Sequence, residues 1–308
     1  MYLYHFGLNR LPFTLTPNTQ FYCELAPHQE ALQVLHTALA AGEGIIKITG
    51  EVGTGKTLLC RKFLNDISER HQVVYLPNPS LDPTEMRQAV ALELGLRPCA
   101  DQQRLTGRIG DKLLQCAMAN RPVVMVLDEA QALADNTLES LRLFTNLETE
   151  TFKLVQLVLF GQPELDQRLA QPQLRQLRQR ITFSYRLRGL SLSECQDYLQ
   201  HRLCVAGAVE QTLFSPLACR LLWRASGGIP RLLNVLAHKS LILAYGRNEQ
   251  VLGSGVIRAA IADTEAAIVP HWWQWDGGTR LQWSLLLGAL LGLIVLGTVL
   301  RLHGGGWQ

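Results

Sequence analysis

The most informative stretch of the sequence is Gly50-Glu51-Val52-Gly53-Thr54-Gly55-Lys56-Thr57. It follows a β-branched run at residues 44–49, predicted to be a strand, and it opens a predicted helix at residues 56–70. Glycines let successive backbone N–H groups curl around phosphates, and a helix N-terminus adds positive potential. The stretch therefore predicts a phosphate-binding loop, with ATP as the expected ligand. A chance Gly-rich turn is the alternative.

The residues of this loop have separate predicted roles. Lys56 is expected to reach the β- and γ-phosphates, and the hydroxyl of Thr57 is expected to ligate Mg²⁺. The predicted nucleotide-binding set is Gly50, Glu51, Val52, Gly53, Thr54, Gly55, Lys56, Thr57 and Leu58.

An apolar run ends in two acids about 70 residues further along the chain. Residues 122–127 read as a buried strand, and Asp128 and Glu129 follow it directly. Ligands bind at the carboxyl ends of strands in open α/β sheets. Asp128 is therefore predicted to hold Mg²⁺ through water, and Glu129 to polarise the attacking water as general base. An acidic strand-to-helix cap is the alternative.

Two further side chains are assigned to the γ-phosphate. Gln162 follows the next predicted strand and is expected to sense the γ-phosphate; a helix-capping turn before Pro163 is the alternative. Arg180, or else Arg178, is predicted to be an arginine finger offered to the γ-phosphate of a neighbouring subunit. A solvated helix face is the alternative for these arginines.

The sequence also predicts the position of Arg231 relative to a helix. Gly227 and Gly228 precede Pro230, which suits the first turn of a helix, so Arg231 lies at a helix N-terminus. The helix dipole disfavours a cation there. Arg231 is therefore expected to contact an anion outside its helix, namely the nucleotide phosphates.

The order of elements predicts the fold class. Strands alternate with helices up to residue 189, and the strands are apolar runs without in/out alternation, which indicates a parallel sheet covered on both faces. The predicted strands are 44–49, 72–76, 122–127, 153–160 and 181–187. From the capping box at residues 191–194 onwards only helices are predicted, and they form a lid. The predicted helices after the loop are 56–70, 83–94, 104–119, 137–147, 163–170, 191–205, 215–225, 230–245 and 255–267.

The end of the chain differs in composition. Residues 283–300 carry no charge, and four tryptophans lie just before or at their start. Eighteen residues are about the lower limit for crossing a bilayer, and Trp fits the headgroup zone. The sequence predicts a single transmembrane helix; a hydrophobic core helix is the alternative.

Composition narrows the remaining choices. The 308 residues are 47% hydrophobic, which fits an ordered protein with a core, and the net charge of +3 does not by itself indicate nucleic acid. Arginines make up 23 of the 29 cations and suit phosphate contacts, including those across subunit boundaries. The seven cysteines form no C-x-x-C pair and are expected to be reduced cytoplasmic thiols. No secretory signal is expected at the N-terminus.

With these motifs in this order, the chain resembles the AAA+ superfamily. It is most similar to the bacterial branch of the type II secretion A-protein and its pilus relatives, over about residues 1–268. In size and ending it resembles the ATPases of mannose-sensitive haemagglutinin (type IV) pilus biogenesis. The motifs that carry the resemblance are Tyr4-x-Phe6-Gly7-Leu8, Pro12-Phe13-x-Leu15-Thr16-Pro17, Phe21-Tyr22, His28-x-Glu30-Ala31-Leu32, Asp128-Glu129-Ala130-Gln131, Gly161-Gln162-Pro163-Glu164-Leu165 and Leu177-Arg178-Gln179-Arg180-Ile181.

The resemblance implies an ATPase that forms a homo-oligomer, a ring or a dimer, at the bacterial inner membrane. Its ATPase domain would lie in the cytoplasm, and its partners would be inner-membrane components of a pilus or secretion apparatus. It also implies that the N-terminal arm walls the adenine pocket. No periplasmic peptidoglycan-binding domain follows the predicted span, so direct peptidoglycan binding is not expected.

The expected division is an arm and first helix at 1–43, a P-loop α/β core at 44–189 and a helical lid at 190–268. A Trp-rich linker at 269–282, a transmembrane helix at 283–300 and a tail at 301–308 follow.

Two other functions stay open. A DNA-handling ATPase of the transposition or origin-recognition type shares this core, but it should carry a helix-turn-helix domain or a Lys/Arg-rich face. This chain has the apolar segment instead, so nucleic acid is not an expected partner. An ATP-gated scaffold with little turnover is the third possibility.

Overall fold

The computed structural model describes residues 2–15, 19–21, 23–77, 80–147, 153–208 and 213–268. The strands pair in parallel in one sheet, in the order β2-β3-β4-β1-β5. Their bounds are β1 (Ile45–Gly50), β2 (Gln72–Leu76), β3 (Val123–Leu127), β4 (Val155–Gly161) and β5 (Ile181–Leu187). The predicted five-stranded parallel sheet is confirmed.

The helices cover the sheet and form the lid. Their bounds are α1 (Tyr2–His5), α2 (Ala26–Ala40), α3 (Lys56–Ile67), α4 (Pro83–Glu93), α5 (Gln102–Met118), α6 (Asp135–Thr145), α7 (Pro163–Leu169), α8 (Arg175–Gln179), α9 (Leu192–Val205), α10 (Pro216–Ser226), α11 (Pro230–Gly246) and α12 (Ser254–Ala262). Short 3-10 helices lie at Thr19–Phe21, Ala130–Ala132 and Pro172–Leu174.

Alternate residues of the central strands pack on opposite faces of the sheet. On one face, Met125 and Leu157 belong to a buried cluster with residues of α4, α5 and α6. On the other face, Val124 and Val158 pack with residues of α2 and α3. Burial on both faces explains why the strands read as continuous apolar runs.

Local signals account for several helix ends. Ser191 and Glu194 form the predicted capping box at the start of α9. Two helices end earlier than the periodicity suggests: α3 stops at Ile67 instead of residue 70, and α12 stops at Ala262 instead of residue 267. After α12, the Thr264 hydroxyl donates to the Ala260 carbonyl and satisfies a terminal acceptor that another helical turn would have used.

The N-terminal arm packs on the lid. The arm's Phe6 and Phe13 lie in one buried cluster with Leu199 of α9 and Leu233 of α11. The hydroxyl of Tyr2, in the unpredicted helix α1, hydrogen-bonds His238 Nδ1 at 2.9 Å. The arm therefore belongs by packing to the lid, although α2, which follows it, packs on the sheet.

The C-terminal predictions are not tested by this structure. The linker at 269–282, the transmembrane helix at 283–300 and the tail at 301–308 lie outside the described residues. Within the described ranges, no helix combines the length and apolarity needed to cross a bilayer. All seven cysteines are unpaired, and Cys60, Cys116, Cys195 and Cys219 are buried.

Candidate functional site

The predicted phosphate loop connects β1 to α3 and lines a cavity of about 370 Å³. Gly53 (φ 85°) and Gly55 (φ 96°) have the left-handed backbone that side chains disfavour. Gly55 is the N-cap of α3, so the first N–H groups of this helix open toward the cavity. The loop residues on the cavity wall are Val52, Gly53, Thr54, Gly55, Lys56, Thr57 and Leu58.

The first two residues of the predicted binding set lie behind the loop. A Cβ on Gly50 would come within 2.9 Å of both Leu187 Cβ and Thr54 Oγ1, so this glycine permits close packing against β5. The side chain of Glu51 lies 3.5 Å from Arg186 Nη2. Gly50 and Glu51 therefore support the loop through contacts with β5, on the side away from the cavity.

Lys56 is only 5% exposed and is held by the loop itself. Its Nζ donates to the carbonyls of Gly50 (2.7 Å) and Glu51 (3.0 Å). Burial lowers the pKa of the ammonium, and the nearby carboxylates of Glu129 and Asp128 oppose that shift. A phosphate anion at the loop would offer stronger acceptors than the two neutral carbonyls.

The two predicted Mg²⁺ ligands lie together. Asp128, at the end of β3, is 2% exposed, and its carboxylate accepts hydrogen bonds from Thr57 and from the Glu129 N–H. Burial raises the pKa of this carboxyl, while these hydrogen bonds act against the rise. Hard cations take oxygen ligands, and Mg²⁺ usually keeps waters and substrate phosphates in its shell. Thr57 and Asp128 therefore fit a Mg²⁺ completed by phosphate and water.

Across the described ranges, His, Cys, Asp and Glu side chains form no cluster of three or more that could hold a metal ion.

Glu129 lies on the cavity wall in an unusual backbone conformation. Its φ is 56°, in the left-handed region that non-glycine residues rarely occupy. Its Oε2 accepts hydrogen bonds from Gln131 Nε2 (2.6 Å) and Gln162 Nε2 (3.1 Å). The conformation aims the carboxylate into the site, and the two amides fix its position.

Gln131 was not assigned a role from the sequence. Its Oε1 accepts from the backbone N–H of Gln162 at 3.0 Å, so it joins the tip of β3 to the end of β4. Arg168 donates to the carbonyl of Gln131 at 2.7 Å and also pairs with Asp135. The signal for Gln131 was its position in the Asp128-Glu129-Ala130-Gln131 motif, but only the fold shows its partners.

The lid closes over the phosphate loop at Arg231. The backbone N–H of Arg231, in the first turn of α11, donates to the Gly53 carbonyl at 3.2 Å, and its side chain lines the cavity. A Cβ on Gly53 would lie 2.5 Å from Arg231 Cβ. The predicted placement of Arg231 and Gln162 at the cavity is thus observed, while their sensing roles remain predictions.

The predicted arginine finger lies away from this cavity. Arg180 precedes β5, whose first residue Ile181 pairs with Ile45 at the start of β1, whereas the phosphate loop follows the end of β1. Arg180 Nη1 donates to the carbonyl and hydroxyl of Thr145, both at 3.2 Å. Arg178 is exposed. Neither arginine lines the cavity of its own subunit.

Another part of the cavity wall comes from the arm, α2 and the lid. The residues on this part of the wall are Thr14, Leu15, Phe21, Cys23, Leu25, His28, Tyr198, Arg202 and Asn234. His28 Nε2 donates to the Thr54 carbonyl at 2.9 Å, which ties α2 to the phosphate loop. The implied contribution of the arm to the pocket wall is consistent with this placement. The sequence did not indicate Tyr198, Arg202 or Asn234.

Comparison with known proteins agrees with this geometry. A family model described as an AAA domain matches residues 39–169. The general secretion pathway protein A of Aeromonas hydrophila is 40% identical over 310 aligned residues, which cover 100% of this chain and 54% of that protein. The chain thus spans about half the length of this relative. An AAA domain implies nucleotide binding at the loop.

Solved structures share the fold at low sequence identity. The Aeropyrum pernix ORC2 protein in its ADP form has a TM-score of 0.59 at 15% identity, covering 83% of this chain and 72% of that one. Cdc6p from Pyrobaculum aerophilum has a TM-score of 0.59 at 18% identity, with 80% and 69% covered. The Aeropyrum pernix ORC1 protein in complex with DNA has a TM-score of 0.55 at 19% identity, with 82% and 69% covered. Residues 39–169 thus match an AAA domain, and the whole chain is similar to about half of the general secretion pathway protein A.

Proposed function

We propose that the chain hydrolyses ATP with Mg²⁺ and that hydrolysis drives the assembly or operation of a type IV pilus or a type II secretion machine. The observation that carries the proposal is the meeting of three groups at one cavity. The loop lysine Lys56 and the carboxylate of Glu129 both line it, and the Asp128–Thr57 pair adjoins the loop. Relatedness to the general secretion pathway protein A supports the secretion or pilus setting.

The chain's own side chains have distinct tasks in this proposal. Lys56 exchanges the carbonyls of Gly50 and Glu51 for phosphate oxygens, which neutralises negative charge. Glu129 accepts the proton of the attacking water, while Gln131 and Gln162 hold its carboxylate in place. A Mg²⁺ held by Thr57 and Asp128 would supply further charge neutralisation when bound.

The direct test is release of phosphate from ATP by the purified full chain. Hydrolysis is expected with Mg²⁺ and should stop when EDTA removes the metal, because the anionic Asp128 and the neutral Thr57 cannot themselves neutralise the charge of the phosphates. Phosphate release followed by a coupled assay, with and without EDTA, measures this. Tight ATP binding without turnover would favour an ATP-gated scaffold instead.

We also propose that residues 283–300 anchor the protein in the inner membrane, with the ATPase site in the cytoplasm. The support is their uninterrupted apolar composition and the tryptophans at their start. The full chain is expected to stay in the pellet when membranes are washed at alkaline pH. The double variant Leu291→Arg, Ile294→Arg should move to the supernatant, because each arginine costs about 2.5–3.5 kcal/mol at a bilayer centre. Retention of the variant in the pellet would refute a spanning helix.

The neighbouring genes give a further test of the proposed setting. A pilin or secretin cluster beside this gene would support the proposed setting, whereas transposase genes would count against it. Co-purification of inner-membrane apparatus components with the full chain in detergent would test the partnership directly.

The DNA-handling alternative has one structural observation in its favour. A solved protein of similar fold was determined in complex with DNA, but at 19% identity the likeness concerns the fold alone. We expect no salt-sensitive binding of duplex DNA, since the chain has a net charge of only +3. Fluorescence anisotropy of a labelled duplex at low and high salt would measure this. Tight binding that weakens steeply with salt would favour the alternative.

A further inference from the structure

The backbone conformation of Glu129 needs support from its surroundings. With φ 56° and ψ 38°, Glu129 lies in the left-handed region, which a non-glycine residue keeps only where surrounding contacts over-determine it. The amides of Gln131 and Gln162 contact its carboxylate, but these contacts act at the end of a flexible side chain. The conformation must therefore be held by contacts to the backbone of this turn.

Hydrogen bonds hold the backbone of the turn that Glu129 begins. The N–H of Glu129 donates to the Asp128 carboxylate at 3.0 Å, and its carbonyl accepts from the Ala132 N–H at 2.8 Å. A further hydrogen bond comes from outside the turn, because the Gln131 carbonyl accepts from Arg168 Nη1 at 2.7 Å. Arg168 lies on α7, so this contact ties the turn to a helix that follows the neighbouring strand β4.

Arg168 is itself held by Asp135, the first residue of α6. Its Nε donates to Asp135 Oδ1 at 3.1 Å, and its Nη2 donates to the same oxygen. With Nη1 on the Gln131 carbonyl, all three nitrogens of the guanidinium are used in one orientation. A guanidinium is planar and rigid, so Asp135 sets the direction in which Nη1 points.

The exposure of this ion pair argues against stability as its main contribution. The side chain of Arg168 is 24% exposed and that of Asp135 is 43% exposed. Exposed ion pairs contribute little to stability, because water screens the charges and ordering two side chains costs entropy. Neither residue lines the cavity, so an effect on a bound nucleotide must pass through Gln131 and Glu129.

We propose that Arg168 is a positioning residue for ATP hydrolysis. Oriented by Asp135, it holds the Gln131 carbonyl and so keeps Glu129 in the left-handed backbone that presents its carboxylate to the attacking water. Because the Gln131 side chain also donates to Glu129 Oε2, the same contact places the amide that holds this carboxylate. The inference rests on the proposed hydrolysis of ATP with Glu129 as general base.

The first test compares turnover with ATP binding in the full chain. Arg168→Met keeps an apolar stem and removes all three donors. The turnover number is expected to fall about 10- to 100-fold, because a displacement of about 1 Å at a reacting group can cost that much. ATP affinity, measured by calorimetry, should stay close to that of the wild type because the phosphate loop is unchanged.

Arg142→Met is the matched control. It removes the ion pair of Arg142 with Glu139 on α6, whose side chains are 30% and 34% exposed, and should leave turnover and affinity as in the wild type. Equal loss of turnover in the two arginine variants would overturn the proposal, and so would wild-type turnover in Arg168→Met.

Variants of Asp135 separate orientation from charge. Asp135→Asn keeps an oxygen that accepts from Nε and Nη2, so it should keep most of the turnover. Asp135→Ala removes that oxygen and should lower turnover in the same direction as Arg168→Met, which keeps the proposal testable if Arg168→Met does not fold. Wild-type turnover in Asp135→Ala would show that Asp135 does not orient Arg168 and would overturn this part of the proposal.

A double-mutant cycle tests whether Arg168 acts through Glu129. In a Glu129→Gln background, Arg168→Met should lower the residual rate no further, because the group that it positions can no longer accept a proton. A structural contribution would instead lower the melting temperature and reduce the rate by the same factor in both backgrounds. That result would overturn the proposal.

A structure of the full chain with Arg168→Met distinguishes this inference from the proposed function. Glu129 is expected to leave the left-handed region or to withdraw its carboxylate from the cavity wall. An unchanged Glu129 would overturn the positioning role. If the wild type binds ATP and releases no phosphate, the proposed hydrolysis fails, whereas a displaced Glu129 in the variant would still support the role of Arg168 in placing it.

Discussion

Glu129→Gln is expected to lower the turnover number for ATP hydrolysis about 10²- to 10⁴-fold, which is the contribution of a positioned general base. An amide cannot take the proton from water, but it has nearly the same shape as the carboxylate. Its carbonyl oxygen can still accept from Gln131 and Gln162, so the local structure should persist. ATP affinity should therefore stay close to that of the wild type. Phosphate release and ATP titration measure the two quantities separately.

The control for this variant is Glu164→Gln. Glu164 is an exposed acid in the first turn of α7, and its charge is felt at Lys56. Glu164→Gln removes one negative charge near Lys56 without changing a residue of the cavity wall, so hydrolysis should be almost unchanged. If Glu129→Gln keeps more than a tenth of the wild-type turnover, Glu129 is not the general base. If it loses ATP binding as well, its role is structural.

Arg180→Ala should lower hydrolysis by the assembled protein about 10³-fold or more, as loss of an arginine finger does. Arg180 lies where β5 begins, next to the start of β1, whereas its own phosphate loop follows the other end of β1. If Arg180 is an arginine finger, it must therefore act at the site of a neighbouring subunit. The variant also loses two hydrogen bonds to Thr145, so its melting temperature must be measured beside its activity.

Mixing two inactive variants separates these effects. A subunit with Arg180→Ala keeps Glu129, and a subunit with Glu129→Gln keeps Arg180. In a mixed assembly, a subunit with Arg180→Ala can receive Arg180 from a neighbour with Glu129→Gln, and the site that contains the intact Glu129 is then complete. The mixture should therefore regain part of the activity that each variant lacks alone. No recovery, together with loss of activity in Arg178→Ala, would assign the finger to Arg178. Full activity of both arginine variants would exclude a finger at either position.

Much of the fold follows from local sequence. The predicted bounds of β2 and β5 agree with the structure, and the other strands differ by one or two residues at their ends. β3 and β4 are nearly uninterrupted apolar runs, whereas β5 alternates apolar with polar residues, and both patterns can be recognised without knowledge of distant contacts. The phosphate loop was equally predictable from the sequence, because the glycines, lysine and threonine that define it lie close together in the chain.

Contacts between distant residues could not be predicted in this way. The hydrogen bond from Arg202 to the Pro12 carbonyl joins residues 190 positions apart, and no local pattern marks either one. The packing of Phe6 and Phe13 on the lid is likewise a tertiary event. The sequence included Gln131 in a motif but predicted no role for it, because its partner Gln162 lies 31 residues further along the chain.

The packing of the arm on the lid has a mechanical consequence. Within the described residues, the chain passes between lid and core twice, once from the arm into α2 after Leu25 and once from β5 into α9 near Gly189. The two crossings are close, since Arg188 lies 3.9 Å from Glu30 of α2 and also pairs with Glu194 of α9. A body joined to another at two points turns most easily about the line between them. We therefore expect that any rotation of the lid about this line would change the separation of Arg231 in the lid from Gly53 in the core, which are now joined by a backbone hydrogen bond.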